Sequence, residues 1–351
     1  MAERQFRSDN HYTPCVYLKR FVDTDGRLST YRTLVSRATV PLWKRNSAKS
    51  VGYLSHLYTR IAAGHETDEI ERWLDHEFET PAAEPLEKAT SGSKLTQNDW
   101  IHLIRFVAAQ IVRTPAYFVK NVERWQRDAS SLLDSTLQDS VKKLETAKAS
   151  GQALEVSTLP YSDYLPLRVT AQIQPGQSMG HLKGTLLVGR GLWLFNIRHL
   201  LSGSLKVLND HRWSILAPCE GLNWFTSDDP VIRLNYRSEG NYDFRGGCGV
   251  PGVEILLPLS PQHLLYTQIG NRPPARGDRL SREKTEEIRR LIAEHAHRLV
   301  FAKSQDEKIP TFRPRIVSEA LFRSEEQQWR KWHAEQTAAE QRLMGATGTD
   351  L

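Results

Sequence analysis

Two short polar segments carry side chains suited to acid–base chemistry. Residues 10–14 read Asn-His-Tyr-Thr-Pro, and His11 titrates near neutral pH, so it can act as an acid, a base or a metal ligand. Residues 226–230 read Thr-Ser-Asp-Asp-Pro between two runs that predict strands, and a strand end is a rigid platform for a polar site. Adjacent side chains of an extended segment point to opposite sides, so one of the two aspartates faces a shared site, and we choose Asp228. Ser227 beside it is a candidate substrate-binding residue.

Both segments also have a structural interpretation. Asn10 and His11 could tie down the turn before Pro14, and the aspartates of residues 226–230 could accept backbone N–H groups in an Asx-type turn. The residue types alone leave the functional and the structural interpretation open.

Further candidates lie on predicted helices. Glu79 ends an acidic helix just before Pro81, and Glu71 precedes it by eight residues, about two helical turns. Gln110 and Arg113 lie three residues apart, and therefore on one side of an otherwise apolar helix. An unpaired buried charge is costly, so Arg113 must pair with a carboxylate of the fold or bind an anionic substrate bidentately. The ordinary alternative for the two glutamates is a solvated helix face.

Charge is distributed unevenly along the chain of 351 residues, which has a formal net charge of +6. Residues 1–60 hold eleven Lys and Arg against four Asp and Glu, a net of +7, whereas residues 61–100 hold three against ten, a net of −7. Either the two segments neutralise each other within the fold, or the basic segment presents a surface that attracts phosphates.

Several classes of protein lose their support at once. The sequence has no dinucleotide-binding, P-loop, zincin or nucleophile-elbow motif. Its apolar runs are far shorter than the roughly 18 residues of a membrane span, and its first residues lack the apolar core of a secretory signal. Three scattered cysteines, Cys15, Cys219 and Cys248, are typical of a reducing cytoplasm rather than of a disulfide scaffold. We therefore expect a cytoplasmic protein without a membrane partner.

Helical periodicity dominates the first part of the chain and strand-like runs dominate the rest. Residues 35–150 are predicted to be helix-rich, and residues 151–320 strand-rich. The fold class is therefore α+β, with a helical N-terminal half packed on a mainly antiparallel sheet of the C-terminal half. We expect one domain over residues 1–320, then a C-terminal helix and flexible tail over 321–351 that is a candidate surface for a protein partner. The predicted helices with the clearest patterns cover residues 66–79, 100–112, 116–149 and 282–300.

Five segments, read in chain order, carry a family resemblance. They are Asn10-His11-Tyr12-x-Pro14-x-x-Tyr17-Leu18-x-x-Phe21, Phe78-Glu79-x-x-Ala82-Ala83, Gln110-x-x-Arg113-Thr114-Pro115, Phe225-Thr226-Ser227-Asp228-Asp229-Pro230-Val231 and Leu257-Pro258-Leu259-Ser260-Pro261. Together they resemble a bacterial family catalogued as domain of unknown function 4238, with Asp229 standing where we expect Asn in that family. The resemblance brings no established reaction, but it favours convergence of His11, Glu79, Arg113 and Asp228 on one site.

The residues together predict a nuclease-like hydrolase that acts on a phosphodiester or another anionic substrate. The catalytic candidates are His11, Asp228 and Glu79, and the same three are the candidate ligands of a divalent metal, Mg²⁺ or Mn²⁺. The candidate substrate-binding residues are Asn10, Tyr12, Gln110, Arg113 and Ser227. The alternative is a non-catalytic nucleic-acid-binding or regulatory protein of a bacterial cell.

Overall fold

A computed structural model describes residues 5–62, 64–152, 165–173 and 180–345 of the chain. The α-helices within these ranges are α1 Cys15–Leu18, α2 Glu69–Leu74, α3 Ala83–Thr90, α4 Gln97–Val112, α5 Pro115–Ser150, α6 Arg190–Ser202, α7 Arg282–His295, α8 Lys308–Phe312 and α9 Glu319–Gly345. A three-residue 3₁₀ turn, Lys19–Phe21, continues α1, and a π-helical turn, Asp75–Glu79, continues α2. No helix in the described part of the chain is both long and apolar enough to cross a membrane.

The strands are short, and most of them pair antiparallel. In chain order they are β1 Asp9–His11, β2 Arg27–Arg32, β3 Leu34–Val35, β4 Trp43–Ser47, β5 Tyr53–Ser55, β6 Arg60–Ala62, β7 His65–Thr67, β8 Leu167–Ile173, β9 Gly180–Leu186, β10 Ser214–Leu216, β11 Thr226–Ser227, β12 Ile232–Ser238, β13 Asn241–Asp243, β14 Glu254–Ser260, β15 His263–Gln268, β16 Leu299–Ala302 and β17 Ile316–Val317. The protein is therefore of the mixed α+β class.

Two sheets organise the body of the protein. One has five strands in the order β10-β15-β14-β12-β13 and comes from the C-terminal half alone. The other has the order β11-β16-β2-β4, so it joins strands from the two ends of the chain, with Leu299 opposite Arg32. Because β16 lies between β2 and β11, this second sheet brings the N-terminal segment of the chain close to the segment that contains residues 226–230.

Local signals set the long helices. Thr96 and Asp99 form a capping box at the start of α4, where the Thr96 hydroxyl accepts from the Asp99 N–H and the Asp99 carboxylate accepts from the Thr96 N–H at 2.8 Å. Helix α4 then buries most of its length in the main core, and Pro115 opens α5 immediately after it. The helices predicted over residues 100–112 and 116–149 are confirmed.

The predicted division into a helical and a stranded half does not hold in detail. Residues 43–67 contain four short strands, β4 to β7, rather than helix, and the short helix α8 lies in the part predicted as strand-rich, where the helix predicted from residue 282 is present as α7. Gly52 shows one physical reason: it has φ +68° and its carbonyl accepts the Thr13 N–H, so the chain reverses there against the opening segment. The prediction over residues 282–300 also extends too far, because α7 ends at His295.

The C-terminal helix packs on the body of the protein. Trp332 is buried in the main core, and the Arg190 guanidinium donates two hydrogen bonds to the Glu340 carboxylate at 2.9 and 2.8 Å. A buried ion pair with both charges satisfied fixes the helix in place. The tail predicted at the end of residues 321–351 lies outside the described residues from 346 onward.

Candidate functional site

The polar segments of the sequence meet around two buried side chains. The Tyr17 hydroxyl lies 2.6 Å from Thr226 Oγ1 and donates to the Pro258 carbonyl at 2.6 Å, so it joins the opening segment to both late segments. Arg113 joins the opening segment to the acidic one, since Nη2 donates to the His11 carbonyl and Nη1 to Glu79 Oε1, each at 2.5 Å.

His11 is positioned by a short antiparallel pair, in which β1 lies beside β5 with His11 opposite Tyr53. Asn10 anchors this segment: its side chain accepts the Tyr58 N–H at 3.0 Å and donates to the Arg7 carbonyl at 3.1 Å. His11 Nε2 lies 3.3 Å from the Lys49 carbonyl, which can only accept a hydrogen bond. In the neutral ring the proton therefore sits on Nε2, and Nδ1 keeps its lone pair.

Glu71 and Glu79 are brought onto one face by the π-helical turn. Eight residues of α-helix rotate by about 800°, which would leave the two glutamates roughly 80° out of alignment. The wider turn, marked by the hydrogen bond from Thr80 N–H to the Asp75 carbonyl at 2.8 Å, reduces that rotation. Both glutamates consequently reach the same guanidinium, with Glu79 at 2.5 Å and Glu71 at 3.9 Å from Arg113.

Arg113 is fully buried, and its terminal nitrogens are engaged inside the fold by Glu79 and the His11 carbonyl. The Tyr58 hydroxyl donates to the Arg113 backbone carbonyl at 2.5 Å and fixes the end of α4. Arg113 therefore positions Glu79 and His11, and the bidentate contact with a substrate is not available to it in this arrangement.

These side chains line an open cleft of about 310 Å³. Its lining is Arg7, His11, Cys15, Val16, Glu71, Asp75, Glu79, Thr80 and Ala83. Arg7 and Asp75 form an ion pair at 2.6 Å. The cleft thus places an imidazole and three carboxyl groups where a small group from solvent can reach them.

Burial separates the protonation states of the two titrating groups. It raises the pKa of the Glu71 carboxyl to about 7, with Glu79 acting in the same direction and Arg113 opposing. Burial also lowers the pKa of His11 below its ordinary value of 6.5. Near pH 7 about half of the Glu71 carboxyls therefore hold a proton while the His11 imidazole is mostly unprotonated, so one cleft contains both an acid and a base.

Several buried polar atoms at this place lack hydrogen-bond partners within the described residues. They are Glu71 Oε2, Thr13 Oγ1, Arg113 Nε and both side-chain atoms of Gln110. Buried polar groups are normally satisfied, and exceptions concentrate at sites that bind water, ions or substrates. The Gln110 amide is fully buried one turn before Arg113, so it is part of this framework rather than an exposed substrate contact.

Asp228 is held elsewhere. Its carboxylate accepts three backbone N–H groups, from His297 at 2.9 Å, Arg298 at 2.8 Å and Leu299 at 3.0 Å, and it does not line the cleft. Burial raises the pKa of Asp228 to about 7, while the three hydrogen bonds act in the opposite direction. The structure thus brings His11, Glu79 and Arg113 together. Asp228 instead stabilises the contact between the end of β11 and the residues that lead into β16.

The remaining predicted residues have similar structural partners. The Ser227 hydroxyl donates to the Asp229 carbonyl at 2.9 Å and is buried. Asp229 accepts from Lys120 Nζ at 2.7 Å and from the Thr114 hydroxyl at 3.2 Å. Tyr12 is buried, and burial followed by the nearby Asp228 charge raises its pKa well above the ordinary value.

The predicted metal ligands do not form a compact set. Within the described residues, the one group of three His, Cys, Asp or Glu ligand atoms that all lie within 4.8 Å of one another is His56, Glu66 and His333, not His11, Glu79 and Asp228. The His56 and His333 rings are stacked, with centroids 3.9 Å apart and planes 19° apart. A metal at about 2 Å from one nitrogen in its ring plane would lie far out of the plane of the other ring, so this group is a ring stack rather than a formed metal centre.

The five motif segments of the sequence all lie within a region of the chain that matches a known family. The family model described as Protein of unknown function (DUF4238) matches residues 9–306. The chain belongs to this DUF4238 family. The resemblance predicted from its sequence motifs is thereby confirmed. No curated protein and no solved structure matches the chain.

The sequence interpretation ranked the cleft residues incompletely. Glu71 was recognised only as a helical neighbour of Glu79, and Arg7, Asp75 and Cys15 were not placed in the site. The spacing of Glu71, Asp75 and Glu79, four residues apart each, was a signal for a shared helix face. The π-helical turn that makes the face continuous has no such signal in the sequence.

Proposed function

We propose that this DUF4238 protein is a hydrolase that uses general acid–base catalysis in the cleft of His11, Glu71 and Glu79, with a phosphodiester as its substrate. The observation that supports it is the Glu71 carboxyl, which is buried, has no hydrogen-bond partner on Oε2 among the described residues and has a pKa of about 7. A carboxyl that is protonated near neutral pH is suited to donate a proton to a leaving oxygen.

Each group then has one task. His11 Nδ1 takes a proton from the attacking water, the new phosphorus–oxygen bond forms, and the bond to the leaving oxygen breaks as Glu71 transfers its proton to that oxygen. Glu79 raises the pKa of His11 and so favours the imidazolium that forms in this step. Arg113 acts through Glu79 and the His11 carbonyl, as a positioning residue. Exchange with water then removes the proton from His11 and returns a proton to Glu71, which restores the starting state.

An anionic substrate suits the charges at the cleft. Arg7 lies at its mouth with a side chain 44% exposed, and the protonated form of Glu71 does not repel a phosphate. The free cysteines Cys15, Cys219 and Cys248 accord with the reducing cytoplasm that we propose as its location.

The decisive experiment compares the wild type with Glu71→Gln on bis(p-nitrophenyl) phosphate and on a single-stranded oligonucleotide, with and without Mg²⁺ or Mn²⁺. We expect cleavage by the wild type and a loss of roughly 10²-fold or more in the variant, because general acid catalysis contributes that much. Glu84→Gln, on an exposed side chain of α3, is the matched control and should leave the rate unchanged. Equal rates in the wild type and Glu71→Gln would refute the proposal.

A further inference from the structure

A second cleft lies about one helical turn from the catalytic cleft along the same two segments of the chain. In the cleft, Cys15 and Val16 face Thr80 and Ala83, and in a second cleft of about 470 Å³ Lys19 and Arg20 face Glu87 and Thr90. On the first wall the step is four residues, about one turn. On the second wall Ala83, Glu87 and Thr90 follow the spacing of one face of α3, and Thr80 lies in the turn before it. The two clefts are therefore neighbours along α1 with its 3₁₀ turn and α3, and we call this row of clefts the groove.

A third cleft, of about 400 Å³, extends the groove beyond the helices. It shares Asn223 and Lys303 with the second cleft and adds Asp23 and Arg45 at its far side. From Ala83 to Thr90 alone the helix rises about 10 Å, and the third cleft adds to that length. The groove is thus longer than the chemistry at His11 and Glu71 requires.

The charge of the groove changes along its length. Arg20 is paired with Glu87 at 3.2 Å, and Arg45 is paired with Asp23 and Asp25. Lys19 and Lys303 are exposed and have no ion pair with a described residue. Arg20 is thus neutralised by the acidic segment and Arg45 by two aspartates of its own segment, whereas Lys19 and Lys303 remain as cations for a ligand.

Positive charges surround the one histidine among the described residues that line the second cleft. The His263 ring accompanies Lys19 and Arg20 in the lining of the second cleft. Burial lowers its pKa, and the charges of Arg276 and Arg20 lower it further. The amide side chains of Asn223 and Gln262 also line this cleft, and Gln262 Nε2 donates to Asn223 Oδ1 at 2.6 Å, so the amide nitrogen of Asn223 is the neutral donor suited to a phosphate oxygen.

We propose that this groove binds the backbone of a single-stranded polynucleotide and leads it to the cleft of His11 and Glu71, with Lys19 and Lys303 as the phosphate contacts. This inference depends on the proposed hydrolase only for the delivery of the strand to His11 and Glu71, and the binding in the groove does not depend on it. The described residues that line the second and third clefts include no Phe, Tyr or Trp, and the one aromatic ring among them is the His263 imidazole, so stacking on successive bases is not provided for. Recognition is therefore of the backbone and tolerates any base sequence.

The test separates binding from cleavage. Affinity for fluorescein-labelled single-stranded RNA and DNA of roughly twelve nucleotides is measured by anisotropy at several salt concentrations, in a Glu71→Gln background that prevents turnover. We expect Lys19→Ala with Lys303→Ala to weaken binding about tenfold and to reduce the slope of log K against log salt by about 1.4, since each phosphate contact on a single strand contributes about 0.7. The RNA and DNA arms show which of the two backbones is bound more tightly.

The matched control is Lys142→Ala with Lys143→Ala, which removes the same charge from the exposed surface of α5. Equal affinities of this control and the groove variant, or no binding of either strand, would overturn the groove. In the catalytically active protein, the groove variant should raise KM for the oligonucleotide and leave bis(p-nitrophenyl) phosphate cleavage unchanged. Binding that depends on Lys19 and Lys303 without cleavage of either substrate would keep the groove and reject the hydrolase, in favour of a non-catalytic nucleic-acid-binding protein.

Discussion

The cleft around Glu71 and the bend around Asp228 each contain a buried carboxyl, but the two carboxyls differ in the hydrogen bonds that they accept. In both, burial raises the pKa of a carboxyl to about 7. Asp228 accepts three backbone hydrogen bonds, whereas Glu71 Oε2 is buried but accepts none from the described residues, and Glu71 belongs to the lining of an open cleft. A displaced pKa therefore does not by itself distinguish a catalytic carboxyl from a structural one. The oxygen without a hydrogen-bond partner and the position beside a cleft make the distinction.

The largest expected effect is on activity at the cleft. Glu71→Gln keeps the shape of the side chain and removes the proton donor, so hydrolysis should fall by roughly 10²- to 10⁴-fold. Because no hydrogen bond to Oε2 is lost, the free energy of unfolding from a denaturant titration should stay within about 0.5 kcal/mol of the wild type. A large loss of stability with unchanged activity would mean that Glu71 is the structural group of the two.

The next effect is on stability at the bend. Asp228→Ala leaves three buried N–H groups without an acceptor, so the free energy of unfolding should fall by about 3 kcal/mol or more. Asp210→Ala, on an exposed side chain, is the control and should change it by less than about 0.5 kcal/mol. If Asp228→Ala instead abolishes hydrolysis and unfolds like the wild type, the assignment of the two regions is reversed.

Arg113→Lys tests the link that holds the cleft together. A lysine has a single ammonium group and cannot bridge Glu79 and the His11 carbonyl as the guanidinium does, so stability should fall by about 2 kcal/mol. Substrate KM should change little, because the terminal nitrogens of Arg113 are engaged inside the fold. A large increase in KM with unchanged kcat would show that Arg113 contacts the substrate directly.

The smallest effect is the pH dependence of the wild-type rate. Above about pH 7 Glu71 loses its proton and the acid is lost, so kcat/KM should fall tenfold per pH unit. Below the pKa of His11, which lies under 6.5, the base becomes protonated and the rate falls again. The residual activity of Glu71→Gln should lack the alkaline fall. An alkaline limb that survives in this variant would assign that limb to another group.

Sequence reasoning was most successful where a structure depends on neighbouring residues. The helix predicted over residues 100–112 is present as α4, and it begins after Thr96 because Thr96 and Asp99 satisfy each other's backbone groups locally. The motifs that include His11, Glu79 and Arg113 were also visible, and three distant segments do meet at Arg113. The error over residues 43–67 has the opposite origin, because short strands such as β4 are stabilised by a partner strand that their own periodicity does not reveal.

The amino-acid sequence by itself determined the family, the mixed class, the long helices and the set of polar residues from which a site is built. The tertiary structure alone decided which of those residues share a cleft. It did so through the π-helical turn that aligns Glu71 with Glu79 and through the pairing of β11 with β16, which places Asp228 on the backbone amides of residues 297–299. The reason is physical: helix caps and periodic faces depend on residues a few positions apart, whereas access to solvent and a full or empty set of hydrogen bonds depend on chain segments that are distant in the sequence, such as Asp228 with residues 297–299 and Arg113 with His11.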